Sequence, residues 1–431
     1  MEMPLLLRLP PTAFLLKPHY PINHFLNHQA LIFSPKPTFS ARRRLKRLII
    51  TAKKRTRIDG VSEELNLIAS QNLDYAPARR RVRSAFVDVQ NSLIIACSRL
   101  VLDPIMIFAP TGIKTEEWYE RNSKGLELFS KSWIPEKGAL KGALCFCHGY
   151  GDTCTFFFEG VAKRIAAAGY AVFAFDYPGF GLSEGLHGYI NCFDGLADTA
   201  IEHYRKIKGR PELKGLPHFV LGQSMGGAVT LKVHLKEPLE WDGVVLVAPM
   251  CKLSGRFELP LSILGLMTQR KPCVRLSANL YPKGCETPAA VLKVLSLMSR
   301  VTPKAKLFPQ KDLAELAFRE LKKRKMAVYN VISYNGQTRL KTAMELLKAT
   351  SDIERQVEKV SAPLLILHGA EDKVTDPQVS KFLYEKASSK DKTLKLYEEG
   401  YHCILEGEPD DRIFTVLDDI ISWLDSHSSL A

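Results

Sequence analysis

The sequence predicts an α/β fold in which a mostly parallel sheet is covered by helices on both faces. From about residue 105, short and almost purely apolar runs alternate with helical segments, a pattern typical of parallel strands buried on both sides. A glycine-flanked serine, Gly222-Gln223-Ser224-Met225-Gly226, directly follows one of these runs and opens a helical segment. The 431 residues, 46% of them hydrophobic, suffice for one large domain with additions or for two domains.

Six apolar runs are the predicted strands: Ala143–Cys147, Ala171–Phe175, Phe219–Leu221, Val244–Val247, Leu364–Leu367 and Leu394–Leu396. Helical patterns lie between them, for example at Phe158–Ala168 and Phe193–Ile207. Ahead of the sheet, Val82–Leu102 predicts a helix that is preceded by three arginines, Arg79 to Arg81. Arg412–Leu424 predicts a closing amphipathic helix.

The strand series is interrupted by a long, helical and basic stretch. We expect this insertion to leave the sheet at its carboxyl edge, where it can cover a site as a lid. The predicted division is therefore an N-terminal helical extension at 59–104, a core formed by 105–249 and 356–431, and a helical cap at 250–355.

The positive charge is concentrated at the N-terminus. The chain has a net charge of +14, and residues 1–58 contain twelve Lys or Arg and one acid, Glu2. An arginine-rich, acid-poor N-terminus predicts an organellar transit peptide, with a plausible processing site near Ile50-Thr51-Ala52 and the plastid as destination. The alternatives are a cytoplasmic protein and a disordered basic arm that touches nucleic acid or anionic lipid.

The nine cysteines form no CxxC pair and no His/Cys cluster at zinc spacing, so neither a metal nor a cofactor is implied. Cys145 and Cys147 are expected to be reduced thiols on one face of a buried strand, in a reducing compartment. No apolar run is long enough to predict a transmembrane helix.

Ser224 is the predicted nucleophile. A serine on a sharp strand-to-helix turn needs glycines two residues before and after it, because a neighbouring side chain would block the turn. The turn presents the hydroxyl at a helix N-terminus, where backbone N–H groups favour a developing anion.

A glycine-rich loop, His148-Gly149-Tyr150-Gly151-Asp152, follows the strand at Ala143–Cys147. Such a loop can aim a backbone N–H at a substrate oxyanion, so the backbone amides of Tyr150 and Met225 are the predicted oxyanion hole. We expect His148 to fix the loop by hydrogen bonds rather than to act as a base.

In a fold with this turn, the acid and the base follow the serine in sequence order. Asp372 lies just after the strand at Leu364–Leu367, with Glu371 and Asp376 as competitors. His402 follows the last strand and is the predicted base, whereas His427 lies in a serine-rich tail and is expected to be solvated. His402 would deprotonate Ser224, and an acyl-enzyme would form and be hydrolysed.

These motifs resemble the monoacylglycerol lipase family of α/β-hydrolases, in particular its plant branch, which includes lysophospholipase-type enzymes and caffeoylshikimate esterase. The resemblance covers about residues 105–425 and is carried by six segments: 122–125, 148–153, 177–183, 222–227, 248–251 and 368–372. It implies the α/β-hydrolase fold with a mixed eight-stranded sheet and a cap that admits acyl chains. It also implies Ser224, Asp372 and His402 as the triad, and Tyr150 and Met225 as the oxyanion donors.

Two features depart from the family pattern. Gln223 precedes the serine, as in the plant branch. Many animal and fungal members of the family have histidine at this position. A stretch within Gly255–Glu286 is extra relative to the family's cap, and it is either a lid elaboration or an artefact of the gene model.

The leading hypothesis is a serine carboxylic-ester hydrolase that cleaves monoacylglycerol or lysophospholipid-type esters. The alternatives are a hydrolase of caffeoylshikimate or other phenolic or CoA-linked (thio)esters, and a non-catalytic binding protein with the hydrolase fold. The expected partners are a small ester or lipid substrate and a peripheral membrane surface contacted through the cap. No nucleic-acid partner is expected.

Overall fold

A computed structural model describes residues 57–100, 112–252, 289–307 and 313–428 of the chain. All but the last two residues of the predicted transit peptide, 1–58, lie outside the described residues, and so does the stretch Gly255–Glu286. The plastid destination and the nature of that stretch therefore stay predictions.

Eight strands form one mixed sheet in the order β1-β2-β4-β3-β5-β6-β7-β8. Strands β3 to β8 pair in parallel, and the first two strands pair antiparallel, β1 with β2 and β2 with β4. Their bounds are Ile113–Arg121, Glu127–Pro135, Gly142–Cys147, Tyr170–Phe175, His218–Gln223, Gly243–Val247, Leu364–Gly369 and Lys392–Tyr397. All six strands predicted from apolar runs are confirmed.

The apolar runs in the sequence did not predict β1 and β2. The residues of β1, IKTEEWYER, are mostly polar and at least partly exposed, because this strand forms an edge of the sheet. In β2 the polar residues Ser130, Lys131 and Ser132 are buried, which interrupts the apolar pattern. A search for apolar runs finds strands with apolar residues on both faces and misses a polar edge strand such as β1 or a strand with buried polar residues such as β2.

Helices cover both faces of the sheet. Alternate residues of the central strands belong to two hydrophobic clusters: Cys145 and Val220 to one, Leu144 and Phe219 to the other. The helices α1 to α11 span Glu63–Ala69, Ala76–Leu100, Phe157–Ala167, Phe193–Lys208, Met225–Lys236, Ala289–Val301, Leu313–Ala317, Leu321–Met326, Leu340–Glu354, Pro377–Lys386 and Asp410–Ser428. The predicted helices at α3, α4 and α11 are confirmed, and Cys145 and Cys147 are buried free thiols.

Helix α2 begins at Ala76, so Arg79 lies inside the helix and not ahead of it. The Arg79 side chain is fully buried and donates hydrogen bonds of 2.5 Å to the carbonyl oxygens of Gly181 and Ser183. The prediction that the three arginines precede the helix is wrong because Arg79 binds backbone carbonyls of the core instead of facing water.

Helices α6 to α9 lie in the chain between β6 and β7, where the cap was predicted, although these two strands are neighbours in the sheet. The residue boundaries of the predicted domains stay a prediction. None of the helices formed by the described residues is long and apolar enough to cross a membrane.

Candidate active site

Ser224 occupies the turn between β5 and α5 and is half-buried. Its backbone has φ of 54° and ψ of −118°, a conformation that L-residues rarely adopt. The Ser224 N–H donates to Val247 O at 2.9 Å, which fixes the turn to the end of β6. The strained turn expected from the sequence is therefore present.

The flanking glycines are required by close contacts. A Cβ atom on Gly226 would lie 1.9 Å from the carbonyl oxygen of Cys147, and one on Gly222 would lie 2.4 Å from the carbonyl oxygen of Gly226. Both distances are far below van der Waals contact. Residues larger than glycine at these positions would push the helix away from the sheet and open the turn.

The loop that follows β3 lies against this turn. A Cβ atom on Gly149 would lie 3.6 Å from the Ser224 Cβ, so the chain leading to Tyr150 passes beside the nucleophile candidate. Met225 is the first residue of α5, and its backbone N–H has no acceptor within the helix. Both amides are thus in regions that suit an oxyanion hole, and their role stays a prediction.

His148 holds the loop, as expected. Its Nε2 accepts the Tyr177 N–H at 3.2 Å, so the proton of the neutral ring is on Nδ1, which lies 2.8 Å from Gly149 O. Burial lowers the pKa of His148, which keeps the ring neutral.

Asp372 and His402 are in direct contact. His402 Nδ1 lies 2.6 Å from Asp372 Oδ2, and both residues are buried. Of the competing acids, Glu371 is exposed, and the Asp376 carboxylate caps α10 by accepting the Gln378 N–H at 2.9 Å. Only Asp372, of these three, is positioned to orient the imidazole.

The carboxylate of Asp372 is surrounded by hydrogen-bond donors. Its Oδ1 accepts the backbone N–H groups of Val374 and Thr375 at 2.7 and 3.0 Å, and its Oδ2 also contacts Thr375 Oγ1 at 2.8 Å and His368 Nε2 at 2.9 Å. Burial alone would raise the pKa of Asp372, but His402 and the hydrogen bonds from both histidines lower it well below its ordinary value. The carboxylate is therefore ionised at neutral pH.

The sheet brings the serine and the histidine to the same edge. Strands β5, β6, β7 and β8 are parallel neighbours, and the residues adjoining Ser224 and His402 are in contact, with Gln223 Nε2 4.0 Å from Cys403 Sγ. Within the described part of the chain, the Ser224 hydroxyl makes no hydrogen bond with the His402 ring. Such contacts are often long in unliganded enzymes and tighten when substrate binds.

Comparison with known proteins identifies the family. The sequence profile of the serine aminopeptidase, S33 family matches residues 138–410, more than half of the chain. The chain belongs to this S33 family. It is 33% identical to a caffeoylshikimate esterase of Arabidopsis thaliana, over 74% of this chain and 87% of that protein. It is 28% identical to a monoglyceride lipase of Homo sapiens, over 72% of this chain and 90% of that protein.

Solved structures agree on the fold of this S33-family chain. A soluble variant of monoglyceride lipase from Saccharomyces cerevisiae, in complex with a substrate analogue, matches with a TM-score of 0.58 at 20% identity, covering 74% of this chain and 96% of that one. The expected α/β-hydrolase fold and the resemblance to the monoacylglycerol lipase family are confirmed. The expectation that the chain is an ester hydrolase is confirmed as well.

Sequence reasoning missed one residue of this S33-family site and wrongly predicted the surroundings of a histidine outside it. His368 was noted only as part of a motif, yet its position at the end of β7, four residues before Asp372, places its ring on the same carboxylate. His427 had been expected to be solvated, but its Nε2 lies 2.8 Å from Asp391 Oδ2 and its ring stacks on Trp423.

Two further acids lie beside the Ser224 turn. Burial and the neighbouring Asp176 raise the pKa of Asp152 to about 7, and burial together with Asp152 raises the pKa of Glu406 well above its ordinary value. Gln223 hydrogen-bonds to Glu406, and Asn330 Nδ2 lies 3.4 Å from Asp152 Oδ1. Both acids thus remain protonated to higher pH than solvated carboxyls do.

This shift predicts that Asp152→Asn is more stable than the wild type at alkaline pH. The folded pKa of about 7 lies above the unfolded value of 3.8, so folded Asp152 retains a proton that the unfolded chain loses. Its stabilising contribution is present at low pH and is lost as pH rises from about 4 to about 7. We expect the variant to be more stable by about 1–3 kcal/mol at pH 8, measured by urea denaturation, and to differ little near pH 4.

The matched control is Glu385→Gln, which neutralises an exposed carboxyl on α10. It should follow the wild-type pH dependence throughout. An Asp152→Asn variant with the same pH dependence as the wild type would show that the carboxyl is already ionised near pH 4.

Proposed function

We propose that this chain is a serine esterase that cleaves monoacyl lipid esters, of the monoacylglycerol or lysophospholipid type, with Ser224 as nucleophile, His402 as base and Asp372 as orienting acid. The observation that carries the proposal is the 2.6 Å contact between His402 Nδ1 and the buried, ionised Asp372, at the sheet edge that also holds the strained Ser224 turn.

The contact sets the tautomer of the base. An ionised carboxylate only accepts hydrogen bonds, so the proton of neutral His402 is on Nδ1 and its Nε2 has a free lone pair. In the proposed reaction that lone pair removes the Ser224 proton while Oγ attacks the ester carbonyl. The alcohol leaves with the proton from His402, and water activated by the same ring then releases the fatty acid.

The proposed oxyanion hole consists of the backbone N–H groups of Tyr150 and Met225. The Tyr150 ring makes edge-to-face contacts with Phe180 and Tyr334, and its hydroxyl donates a 3.2 Å hydrogen bond to Gly188 O. These contacts fix the position of Tyr150 in the loop. Backbone donors fixed in this way stabilise the tetrahedral intermediate without reorganisation.

The surface of helix α6 supports a lipid substrate. Val294, Leu297 and Val301 lie on one face of the helix and are 41%, 63% and 76% exposed, whereas Leu295 on the opposite face is fully buried near Leu340 of α9. A helix that exposes a contiguous apolar stripe while already packing by its other face has a surface left for another partner.

Charge favours a membrane surface as this partner. Residues 289–307, which comprise α6 and the segment after it, contain four basic residues and no acidic residue. Apolar side chains flanked by Lys and Arg are typical of segments that lie on anionic lipid surfaces. We therefore propose that the cap docks on membranes at α6, where the ester substrate resides.

A phenolic ester is the second candidate substrate. It is favoured by sequence identity, which is 33% with the caffeoylshikimate esterase of Arabidopsis thaliana and 28% with the human monoglyceride lipase. The exposed α6 stripe favours the lipid, because a soluble phenolic ester requires no apolar docking surface.

A fluorophosphonate probe tests the nucleophile. We expect the wild type to be labelled at one serine and Ser224→Ala to be unlabelled, with its ester hydrolysis reduced by about 10⁴-fold or more because the nucleophile is absent. Ser388→Ala, which removes another serine hydroxyl, one that donates to Val360 O at 3.1 Å, serves as the control and should be labelled like the wild type. Labelling that persists in Ser224→Ala would refute the assignment.

A substrate panel tests the chemical class of the ester. We expect kcat/KM for monoacylglycerol or lysophospholipid to exceed that for caffeoylshikimate by at least about tenfold, because an acyl chain buries more apolar area in the cap. Ser224→Ala measures the background rate with each substrate. A higher kcat/KM for caffeoylshikimate would favour the second candidate.

Vesicle binding tests the docking surface. We expect Leu297→Glu to weaken binding to vesicles that contain anionic lipid by about tenfold, since it replaces an inserting apolar side chain with a charge. Leu239→Glu is the matched control, because Leu239 is 95% exposed and lies in the segment between α5 and β6, outside the cap. Hydrolysis of a short soluble ester should be unaffected in both variants. Equal binding by the two variants would exclude α6 as the docking site.

A further inference from the structure

Two imidazole rings share one oxygen of the Asp372 carboxylate. His402 Nδ1 lies 2.6 Å from Oδ2, and His368 Nε2 lies 2.9 Å from the same atom. The second ring is fully buried, and its Nδ1 lies 2.6 Å from the hydroxyl of Ser380, which is also fully buried. A triad of serine, histidine and aspartate requires only the first of these rings.

The protons of this network can be assigned from donor and acceptor rules. An ionised carboxylate has no proton to donate, so a neutral His368 must carry its proton on Nε2. Its Nδ1 is then an acceptor, and the Ser380 hydroxyl is the donor placed against it. In the other tautomer of His368, the Nε2 lone pair would face the carboxylate oxygen and repel it. The carboxylate therefore selects the tautomer of His368, and the Ser380 hydroxyl stabilises that tautomer by donating to Nδ1.

The two oxygens of Asp372 are held by different groups. Oδ1 is fixed by the backbone N–H groups of Val374 and Thr375, which belong to the same loop as the carboxylate. Oδ2, the atom that binds His402, is fixed from strand β7 by His368. Without His368, the carboxylate could rotate about its side-chain bonds, and the His402 ring that binds it would change orientation. Thr375 Oγ1, 2.8 Å from Oδ2, would then be the remaining side-chain partner of this oxygen besides His402.

We propose that His368 is a positioning residue for the proposed esterase reaction: with its Nδ1 held by the Ser380 hydroxyl, it donates an N–H to Asp372 Oδ2 and thereby fixes the orientation of His402 toward Ser224. The proposal rests on the triad proposed above. His368 does not touch the substrate, so it acts on the rate of the chemical steps and not on substrate binding.

The test compares His368→Leu with His368→Gln. Leucine has similar bulk and no donor, whereas the glutamine amide can place an N–H near the position of Nε2. We expect His368→Leu to lower kcat by about tenfold or more with KM within about twofold of the wild type. His368→Gln should restore most of the rate, and Ser380→Ala should have an intermediate kcat.

Ser389→Ala is the control for Ser380→Ala, because it also removes a buried hydroxyl, one that donates to Asp391 O at 2.8 Å. Its kcat should equal that of the wild type. If His368→Leu fails to fold, Ser380→Ala together with proton NMR still decides. The low-field resonance of the His402 Nδ1 proton should shift or broaden in Ser380→Ala and be unchanged in Ser389→Ala.

Fluorophosphonate labelling separates the two proposals. Labelling that survives Ser224→Ala would overturn the proposed triad and the role of His368 with it. Labelling that depends on Ser224, combined with an unchanged kcat in both His368→Leu and Ser380→Ala, would overturn the role of His368 alone. A loss of rate in His368→Leu that His368→Gln does not restore would also overturn it, because bulk and not donation would then be responsible.

Discussion

The parallel register of β5, β6, β7 and β8 is the constraint on which the rest of the site depends. Gln223 pairs with Val247, and Val247 pairs with Leu367, so the turn at Ser224 and the loop of Asp372 begin at the same level of the sheet. His402 enters from the loop after β8 at the same edge. Side chains far apart in sequence meet because parallel strands end together, and a shift of one residue would turn every strand side chain to the other face.

The central sheet could be predicted from the sequence because its strands are covered on both faces. A strand such as β6, Gly243–Val247, is fully buried, so its sequence is a continuous apolar run, unlike the sequence of an exposed strand. The edge strand β1 has no such run, and the buried Lys131 of β2 is paired with Glu117 and Glu159, a contact that residue type alone conceals. For the same reason Arg79 was expected ahead of its helix: a sequence does not show which arginine will find backbone carbonyls.

The site was predictable to the extent that chain order and spacing determine it. The GxSxG turn and the order serine, acid, histidine indicate Ser224, Asp372 and His402, and the contact between the last two is present. Which donors surround Asp372 depends on where side chains point after the chain has folded. His368 and Ser380 are twelve residues apart and on different elements, so no local pattern links them. The electrostatic effect of Asp152 on the pKa of Glu406 is equally non-local.

The strained turn persists because the neighbouring backbone holds it from two sides. Ser224, with φ of 54°, and Ala248, with φ of 45°, are both in the left-handed region, at a cost of about 1–3 kcal/mol each. The Ser224 N–H binds Val247 O, the Met250 N–H binds Ser224 O, and the Ala248 N–H binds Leu367 O. Each such bond contributes about 0.5–1.5 kcal/mol, so together they offset much of the strain. Thr375 Oγ1, 3.2 Å from Ala248 O, extends this chain to the loop of Asp372. The Ser224 turn and the Asp372 loop are thereby connected through the residues that follow β6, so a substitution that relaxed one would disturb the other.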